Sequence, residues 1–206
     1  MRVLIVDDHP IVASGCRAVL AVDPEIVLLE APDAESGERV FNAEHPDVTV
    51  IDINLPTVSG YELARRILSR DASARLIMFS MNDDPIFAAR AIEAGAKGYV
   101  SKSGDPCDLL EAIRQVAKGE TYLPNAMARS IAFAGPAFAQ SPLSKLTSRE
   151  MEVLRLLSAG KSLSEIAWLV QSSYKTIANT SSIMRQKLGV RTSAELVRLA
   201  IEHGVA

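Results

Sequence analysis

Five short apolar runs in the first 118 residues, each followed by a helical pattern, constrain the fold more than any other feature. The runs are rich in Val, Ile and Leu and lack strict polar alternation, which is typical of strands buried on both faces of a parallel sheet. The candidate strands are Arg2–Val6, Ile26–Glu30, Val48–Ile51, Arg75–Phe79 and Gly98–Val100. Strands that alternate with helices predict an α/β fold, a doubly wound five-stranded parallel sheet with right-handed crossovers.

The remainder of the chain differs from this first part in composition and in period. Between residues 119 and 143, prolines and the run Ala-Phe-Ala-Gly-Pro-Ala-Phe-Ala interrupt any regular pattern, which is typical of a linker. Residues 144–206 contain helical patterns alone. We therefore predict an α/β domain over 1–118, a linker over 119–143 and a small all-α four-helix domain over 144–206.

Capping signals mark the helices of the last segment. In a capping box, a hydroxyl at the helix start accepts from the backbone and a Glu three residues later reaches back to it. The three candidate boxes are Thr147 with Glu150, Ser162 with Glu165, and Thr192 with Glu195. Ser173 can cap a further helix over Tyr174–Leu188, and Gly160 and Gly189 stand where helices are expected to end.

Charge is distributed unevenly along the chain. Residues 1–142 carry 13 basic and 20 acidic side chains, a balance of −7, whereas residues 143–206 carry 9 basic and 5 acidic side chains, a balance of +4. A basic back half favours a nucleic-acid partner. No apolar run approaches the roughly 20 residues that span a bilayer, and the N-terminal run is too short for a signal peptide. We expect a cytoplasmic protein with no membrane partner.

Polar side chains follow the predicted strands at the points where the strands end. Asp7 and Asp8 end the first strand, Asp52 ends the third, Ser80 the fourth, and Lys102 follows the fifth. Because ligands bind at the carboxyl ends of parallel strands, we expect these five side chains to converge. Crowded carboxylates repel one another, and a cation such as Mg²⁺ relieves that repulsion. A lysine and a hydroxyl beside them suit a phosphoryl group, with one carboxylate as its nucleophile.

Taken singly, an Asp-Asp pair after a strand is often only a turn, and a lone lysine is often a solvated loop residue. The ordered set favours the site. Four motifs in the set resemble the receiver domain of response regulators: Val-Asp-Asp-His-Pro at 6–10, Ile-Asp-Ile-Asn-Leu-Pro at 51–56, Phe-Ser-Met at 79–81 and Gly-Tyr-Val-Ser-Lys at 98–102. The resemblance covers residues 1–118 and implies a flavodoxin-like receiver fold.

The resemblance also implies a role for each residue of the set. Asp52 is the expected phosphoacceptor and part of the Mg²⁺ site. Asp8 matches the direct ligand of the ion, Asp7 the ligand that acts through water, and Asn54 the backbone carbonyl that completes the site. Ser80 and Lys102 match the catalytic residues that hold the phosphoryl oxygens. Ser80 and Tyr99 match the switch pair, although an ordinary core aromatic is the alternative for Tyr99.

The segment from Ser162 to Leu188 has the pattern of a helix-turn-helix, in which the second helix can enter a major groove. Its second helix offers Ile177, Met184 and Leu188 to a core and polar residues elsewhere. Basic side chains would neutralise phosphates, while Asn179 and the serines could meet base edges. On this pattern alone, an ordinary amphipathic bundle helix is the alternative.

Four motifs resemble the LuxR-type helix-turn-helix: the run at 146–162, Glu-Ile-Ala at 165–167, Lys-Thr-Ile at 175–177 and Lys-Leu-Gly-Val at 187–190. The candidate DNA contacts are Lys175, Thr176, Ala178, Asn179, Ser182, Arg185 and Lys187. The chain departs from the family's pattern at several of these positions. Thr180 stands where histidine is usual, and Ala178 and Ser182 stand where basic side chains are common. Fewer charges imply weaker binding by each monomer.

Together the two halves resemble a response regulator of the NarL/FixJ type. This resemblance implies that a sensor histidine kinase phosphorylates Asp52, that the phosphorylated chain is a homodimer, and that it binds double-stranded DNA to control transcription. The alternative is a phosphorylation-controlled regulator whose C-terminal domain mainly binds protein. A phosphoryl-transfer enzyme is disfavoured because Asn54, not an acid, stands two residues after Asp52. A small-molecule sensor is disfavoured because only 5% of residues are aromatic.

Overall fold

The computed structural model forms two compact units, Met1–Gly135 and Pro136–Ala206. It describes residues 1–56, 58–81, 83, 85–134, 142–170 and 172–202. None of the helices among these residues is long and apolar enough to cross a membrane.

The first unit is built around a five-stranded sheet. Its strands are β1 (Arg2–Val6), β2 (Val27–Ala31), β3 (Val48–Asp52), β4 (Leu76–Ser80) and β5 (Gly98–Ser101). Their order is β2-β1-β3-β4-β5, and every neighbouring pair is parallel. Strands β3 and β4 are buried along their whole length, which is the reason for their mainly apolar sequences. The predicted doubly wound sheet is confirmed, and the strand limits agree to within one residue.

A helix follows each strand of the sheet. These helices are α1 (Pro10–Leu20), α2 (Ala34–Glu44), α3 (Gly60–Arg70), α4 (Pro85–Glu93) and α5 (Pro106–Ala117). The side chains of Asp33, Ser59 and Asp105 accept hydrogen bonds from the first turns of α2, α3 and α5. Such caps satisfy backbone donors that have no partner inside the helix, and they fix where each helix begins after its loop.

The chain beyond α5 stays with the first unit. Tyr122 forms an isolated parallel bridge with Gly98, and its carbonyl accepts a hydrogen bond of 3.0 Å from the backbone N–H of Tyr99. Helix α6 (Asn125–Ala134) follows, with Met127 buried. Residues 119–134 of the predicted linker therefore form ordered structure, and residues 135–141 lie outside the described residues. The limits 1–118, 119–143 and 144–206 stay predictions about domain boundaries.

The second unit contains a 3-10 helix, Pro142–Lys145, and the four helices that the sequence predicts. They are α7 (Ser148–Ser158), α8 (Leu163–Leu169), α9 (Tyr174–Leu188) and α10 (Ser193–Glu202). Gly160 and Gly189 have φ of 77° and 70°, the left-handed conformation that ends α7 and α9. Leu196 and Ala200 of α10 are fully buried, so they complete the core of this unit.

Two of the three predicted capping boxes form, and the third is altered. The Thr147 and Ser162 boxes have both reciprocal hydrogen bonds. At the third, the backbone N–H of Glu195 donates to Thr192 Oγ1 at 3.2 Å, but the Glu195 carboxylate accepts from the backbone N–H of Arg191 at 2.8 Å. The glutamate thus reaches one residue further back than the motif predicts, and it still satisfies a backbone donor before the helix.

The two cysteines lie in different surroundings. Cys16 is part of the core between the sheet and α1, where burial raises the pKa of its thiol to about 11. Cys107 is exposed in the first turn of α5.

Candidate functional site

The acid pocket lies at the carboxyl edge of the sheet and is defined by Asp7, Asp8, Asp52 and Lys102. The strand ladders position these residues. The backbone N–H of Asp7 donates to Ala31 O at 3.0 Å, and that of Lys102 donates to Ser80 O at 2.7 Å. Asp7 and Lys102 thus continue the hydrogen-bonding ladders of β1 and β5 by one residue. The predicted convergence of side chains that are scattered over about a hundred residues of sequence follows from this register.

Lys102 lies between two buried carboxylates. Its Nζ is 2.7 Å from Asp7 Oδ2 and 2.9 Å from Asp52 Oδ2. The exposed fractions of the three side chains are 4%, 0% and 2%, respectively. Asp8 is 32% exposed and opens the pocket to solvent. The pocket is therefore a buried ion cluster with one open side.

The surroundings of Asp52 shift the pKa of its carboxyl. Burial raises the pKa of its carboxyl above the ordinary range, and the positive charge of Lys102 opposes that rise. Its Oδ1 accepts a hydrogen bond of 3.1 Å from the backbone N–H of Asn54. These two partners favour the ionised carboxylate, which is the form that can attack phosphorus.

The donors in the pocket fit a hard divalent cation. Ligand atoms of Asp7, Asp8 and Asp52 lie within 4.8 Å of one another. Asp7 Oδ2 and Asp52 Oδ2 are buried, and within the described part of the chain neither accepts a hydrogen bond of ordinary geometry, so Lys102 contacts them as an ion pair only. Carboxylate oxygens are the ligands that Mg²⁺ takes in proteins, and a cation would satisfy oxygens that the fold leaves without donors.

The remaining predicted receiver residues are Ser80, Tyr99 and Asn54, on β4, on β5 and directly after β3. Ser80 ends β4 and is fully buried, as is Tyr99 on β5. Tyr99 is paired in register with Met78, two residues before Ser80. Asn54 is partly buried in the turn directly after β3. The structure therefore places Ser80 at the carboxyl edge of the sheet, Asn54 in the turn after β3 and Tyr99 within β5.

Gly60 closes the loop that follows Asp52. Its backbone N–H donates to Ile53 O at 3.0 Å. A Cβ at this position would collide with the backbone carbonyl of Asp52. A glycine is therefore required where α3 begins, because the helix start lies directly against the phosphoacceptor candidate.

His9 is the residue of this site that the sequence reasoning missed. Its Nδ1 lies 3.0 Å from Asp8 Oδ1, 3.2 Å from Asp7 Oδ1 and 3.7 Å from Asp52 Oδ2. The available signal was its place directly after the Asp7-Asp8 pair and before the proline that starts α1.

The candidate DNA contacts lie on α9, and four of them are exposed: Lys175, Thr176, Asn179 and Ser182. Ala178, Arg185 and Lys187 are partly buried. Because exposed residues gather near the first half of the helix, this half offers the larger polar surface to a ligand.

Two basic side chains of α9 have partners within their own unit. Lys187 Nζ is 2.7 Å from Glu150 Oε2, which also forms the capping box of α7. Arg185 Nη1 donates to Arg191 O at 3.3 Å. These contacts hold the end of α9 in place and reduce the charge that it presents to solvent.

One outcome on α9 differs from the pattern in the sequence, and the exposure of two aromatic side chains near the turn was not predicted. Ser181, predicted on an outer face, is only 3% exposed, because its small side chain fits against the core of the unit. Trp168 and Tyr174, on the two sides of the turn, are 80% and 58% exposed. These two aromatic side chains therefore lie at the surface of the second unit.

Known proteins similar to this chain agree with the geometry of both units. Residues 3–114 match the family described as "Response regulator receiver domain", and residues 144–200 match "Bacterial regulatory proteins, luxR family". The methanol utilization control regulatory protein MoxX of Paracoccus denitrificans is 32% identical over 98% of this chain and 92% of its own length. The response regulator UvrY of Escherichia coli K12 is 31% identical over 100% of this chain and 95% of its own length.

Solved structures give the same result. A two-component response regulator of the LuxR family from Aurantimonas sp. SI85-9A1 has a TM-score of 0.61 and 39% identity, covering 64% of this chain and 95% of its own. RcsB from Salmonella enterica serovar Typhimurium, solved bound to a promoter, has a TM-score of 0.60 and 28% identity, covering 97% of each chain. The chain therefore belongs to the response regulators that join a receiver domain to a LuxR-type DNA-binding domain, and it is a phosphorylation-controlled transcription regulator.

Proposed function

We propose that this regulator is cytoplasmic, that Asp52 is its phosphoacceptor and that a sensor histidine kinase supplies the phosphoryl group. The observation that carries the proposal is the position of Asp52, a buried carboxylate at the end of β3 with Lys102 2.9 Å away. An Asp52 oxygen forms the bond to phosphorus while the phosphorus–nitrogen bond of the phosphohistidine breaks and its imidazole leaves. The chain is a receiver of this group rather than an enzyme that turns over small molecules.

The same pocket is proposed to hold Mg²⁺, with ligands from Asp7, Asp8, Asp52 and the backbone carbonyl of Asn54. The ion, when bound, offsets the negative charge of the phosphoryl oxygens. Lys102 Nζ, already beside Asp52, supplies a fixed positive charge on the buried side of the group. We propose that the hydroxyl of Ser80, at the end of the neighbouring strand, donates to a phosphoryl oxygen.

We propose that Ser80 and Tyr99 transmit the conformational effect of phosphorylation from the acid pocket to the α4–β5–α5 face. A phosphoryl group adds charge and strong acceptors at one point, so it favours a state in which Ser80 moves toward it. That movement would change the space available to the buried ring of Tyr99 on β5. The switch thereby repacks the α4–β5–α5 face of the receiver.

DNA binding is proposed to use the exposed part of α9, with Lys175 on phosphate and Asn179, Thr176 and Ser182 toward base edges. Phosphorylation would promote a homodimer, so that two α9 helices meet half-sites about one helical turn apart. One observation favours a second function, protein binding by this domain: Lys187 and Arg185 are engaged internally while Trp168 and Tyr174 are exposed.

The test compares the full chain with Asp52→Asn and with Asp71→Asn, a matched change at a partly exposed acid outside the acid pocket. Each protein is treated with acetyl phosphate and Mg²⁺. Intact mass reports the phosphoryl group, sedimentation reports the dimer, and anisotropy of labelled duplex DNA at several salt concentrations reports binding. Only the wild type and Asp71→Asn should gain mass, form dimers and bind DNA more tightly. Phosphorylation of Asp52→Asn would refute the assignment, and DNA binding absent in every state would favour the protein-binding function.

A further inference from the structure

His9 places a ring nitrogen beside the carboxylates of the acid pocket, at the spacing expected of ligands that share a metal ion. Nδ1 of His9 lies 3.0 to 3.7 Å from one oxygen of each of Asp8, Asp7 and Asp52. Neighbouring ligands around an octahedral ion with bonds of about 2.1 Å are about 3.0 Å apart. The distances from His9 Nδ1 to Asp8 Oδ1 and Asp7 Oδ1, 3.0 and 3.2 Å, are thus those expected between two ligands of one ion.

We propose that His9 Nδ1 is an additional ligand of the cation in this pocket, and that the site prefers imidazole-accepting ions such as Mn²⁺ and Co²⁺ to Mg²⁺. The inference rests on the proposed metal site and concerns which ion that site selects. Mg²⁺ takes oxygen ligands, whereas imidazole suits the divalent transition metals. One nitrogen among three carboxylates therefore favours the latter class.

The backbone holds the histidine ring at this place. His9 is the N-cap residue of α1, with extended φ and ψ of −97° and 109°, and Pro10 begins the helix. In the described structure its side chain makes no capping hydrogen bond, and its own backbone N–H donates to Asp7 Oδ1 at 2.9 Å. The ring therefore does not serve to cap the helix, and its position beside Asp7 is fixed by the chain on both sides.

Lys102 and His9 contact the pocket from different sides. Lys102 Nζ lies against Asp7 Oδ2, whereas His9 Nδ1 lies against Asp7 Oδ1. The His9 side chain is 57% exposed, so it stands at the open side of the pocket. A cation can enter there and bind Nδ1 together with the carboxylates, while Lys102 keeps its buried contacts.

The test is isothermal titration of the full chain with Mg²⁺, Mn²⁺ and Co²⁺, for wild type, His9→Ala and His9→Asn. His9→Asn keeps a residue that caps helices well, so a loss shared by both variants reports the imidazole and not the helix start. The control is His45→Asn, because His45 has a φ of 47° that asparagine tolerates. Pulsed electron paramagnetic resonance of bound Mn²⁺ reports nitrogen coordination directly.

We expect both His9 variants to bind Co²⁺ about tenfold more weakly or worse, with Mg²⁺ affinity unchanged to within about threefold. Nitrogen hyperfine modulation should be present in wild type and His45→Asn and absent from both His9 variants. Equal Co²⁺ affinity in all proteins, or no nitrogen signal in wild type, would overturn the inference while leaving Mg²⁺-dependent phosphorylation of Asp52 intact. Absence of any cation binding would overturn the metal site and this inference together.

Discussion

Replacement of Lys102 by methionine tests the electrostatics on which the acid pocket depends. The lysine is the buried positive charge between Asp7 and Asp52, and the three side chains are each no more than 4% exposed. Methionine keeps most of the volume and removes the charge. The two carboxylates would then remain buried without a cation, so we expect the receiver to be strongly destabilised.

The distances set the magnitude of this effect. At separations of 2.7 and 2.9 Å and an effective dielectric constant of about 20, each ion pair contributes roughly 6 kcal/mol of Coulomb energy. Burial of the lysine ammonium itself costs free energy, and its removal recovers that cost, which offsets much of the lost Coulomb energy. Loss of one partner from a buried pair typically destabilises a protein by about 3–5 kcal/mol, and we expect Lys102→Met to fall in this range at neutral pH without divalent cations.

The stability lost in Lys102→Met should depend on pH in a defined direction. Burial already raises the pKa of Asp52, and loss of Lys102 removes the strongest opposing influence, so the folded-state pKa rises further. The folded variant then binds a proton more readily than the unfolded chain does. Its stability relative to wild type should therefore recover as pH falls toward the ordinary aspartate range and decline as pH rises through the folded-state value.

Urea unfolding of the full chain, followed by circular dichroism at several pH values, measures this effect. Lys97→Met is the matched control, since Lys97 is exposed just before the start of β5 and its change should stay within about 0.5 kcal/mol. Mg²⁺ should restore part of the stability of Lys102→Met, because a bound cation offsets the same carboxylates. An unfolding midpoint equal to that of wild type at neutral pH would refute this account of the pocket.

Three further changes separate structural from functional roles. Gly60→Ala should destabilise the receiver by about 1–3 kcal/mol in urea unfolding and reduce labelling of Asp52 by acetyl phosphate, because the new Cβ meets the Asp52 backbone. Lys187→Met should destabilise the second unit by about 1–2 kcal/mol, since it removes the ion pair with Glu150, and should leave the salt dependence of DNA binding unchanged. Lys175→Met should reduce the slope of log affinity against log salt by about 1 and leave the unfolding midpoint unchanged, as anisotropy and urea titrations would show. A reduced salt slope for Lys187→Met together with a stability loss for Lys175→Met would contradict these roles.

The sequence predicted the strands and the residues of the acid pocket because both depend on local pattern and a simple topological rule. Apolar runs of Val, Ile and Leu mark buried strands, and parallel strands bring their carboxyl ends to one edge. Asp7, Asp52 and Lys102 could therefore be placed together from their positions at strand ends alone. The roles of Ser80 and Tyr99 came from the resemblance to receivers, and they stay predictions.

Contacts between distant side chains could not be read in the same way. Lys187 and Glu150 are 37 residues apart, and no periodic pattern shows that α7 and α9 bring them to 2.7 Å. Ser181 is buried because a small polar side chain fits a crowded helix contact, a matter of packing that residue type does not reveal. The bridge between Tyr122 and Gly98 likewise depends on where the chain runs after α5, which proline and glycine content did not predict.

Charge balance in the acid pocket links the proposed cation to the proposed switch. Three ionised carboxylates face one lysine, which leaves an excess of two negative charges that a divalent cation balances. A phosphoryl group on Asp52 replaces one carboxylate charge by about 1.5 to 2 negative charges and adds three acceptor oxygens. Neither Lys102 nor the cation can increase its charge in response, so we expect neutral donors to contribute to binding the new acceptors. Ser80 is fully buried at the end of the neighbouring strand β4, and we expect its hydroxyl to move toward the phosphoryl group for this electrostatic reason.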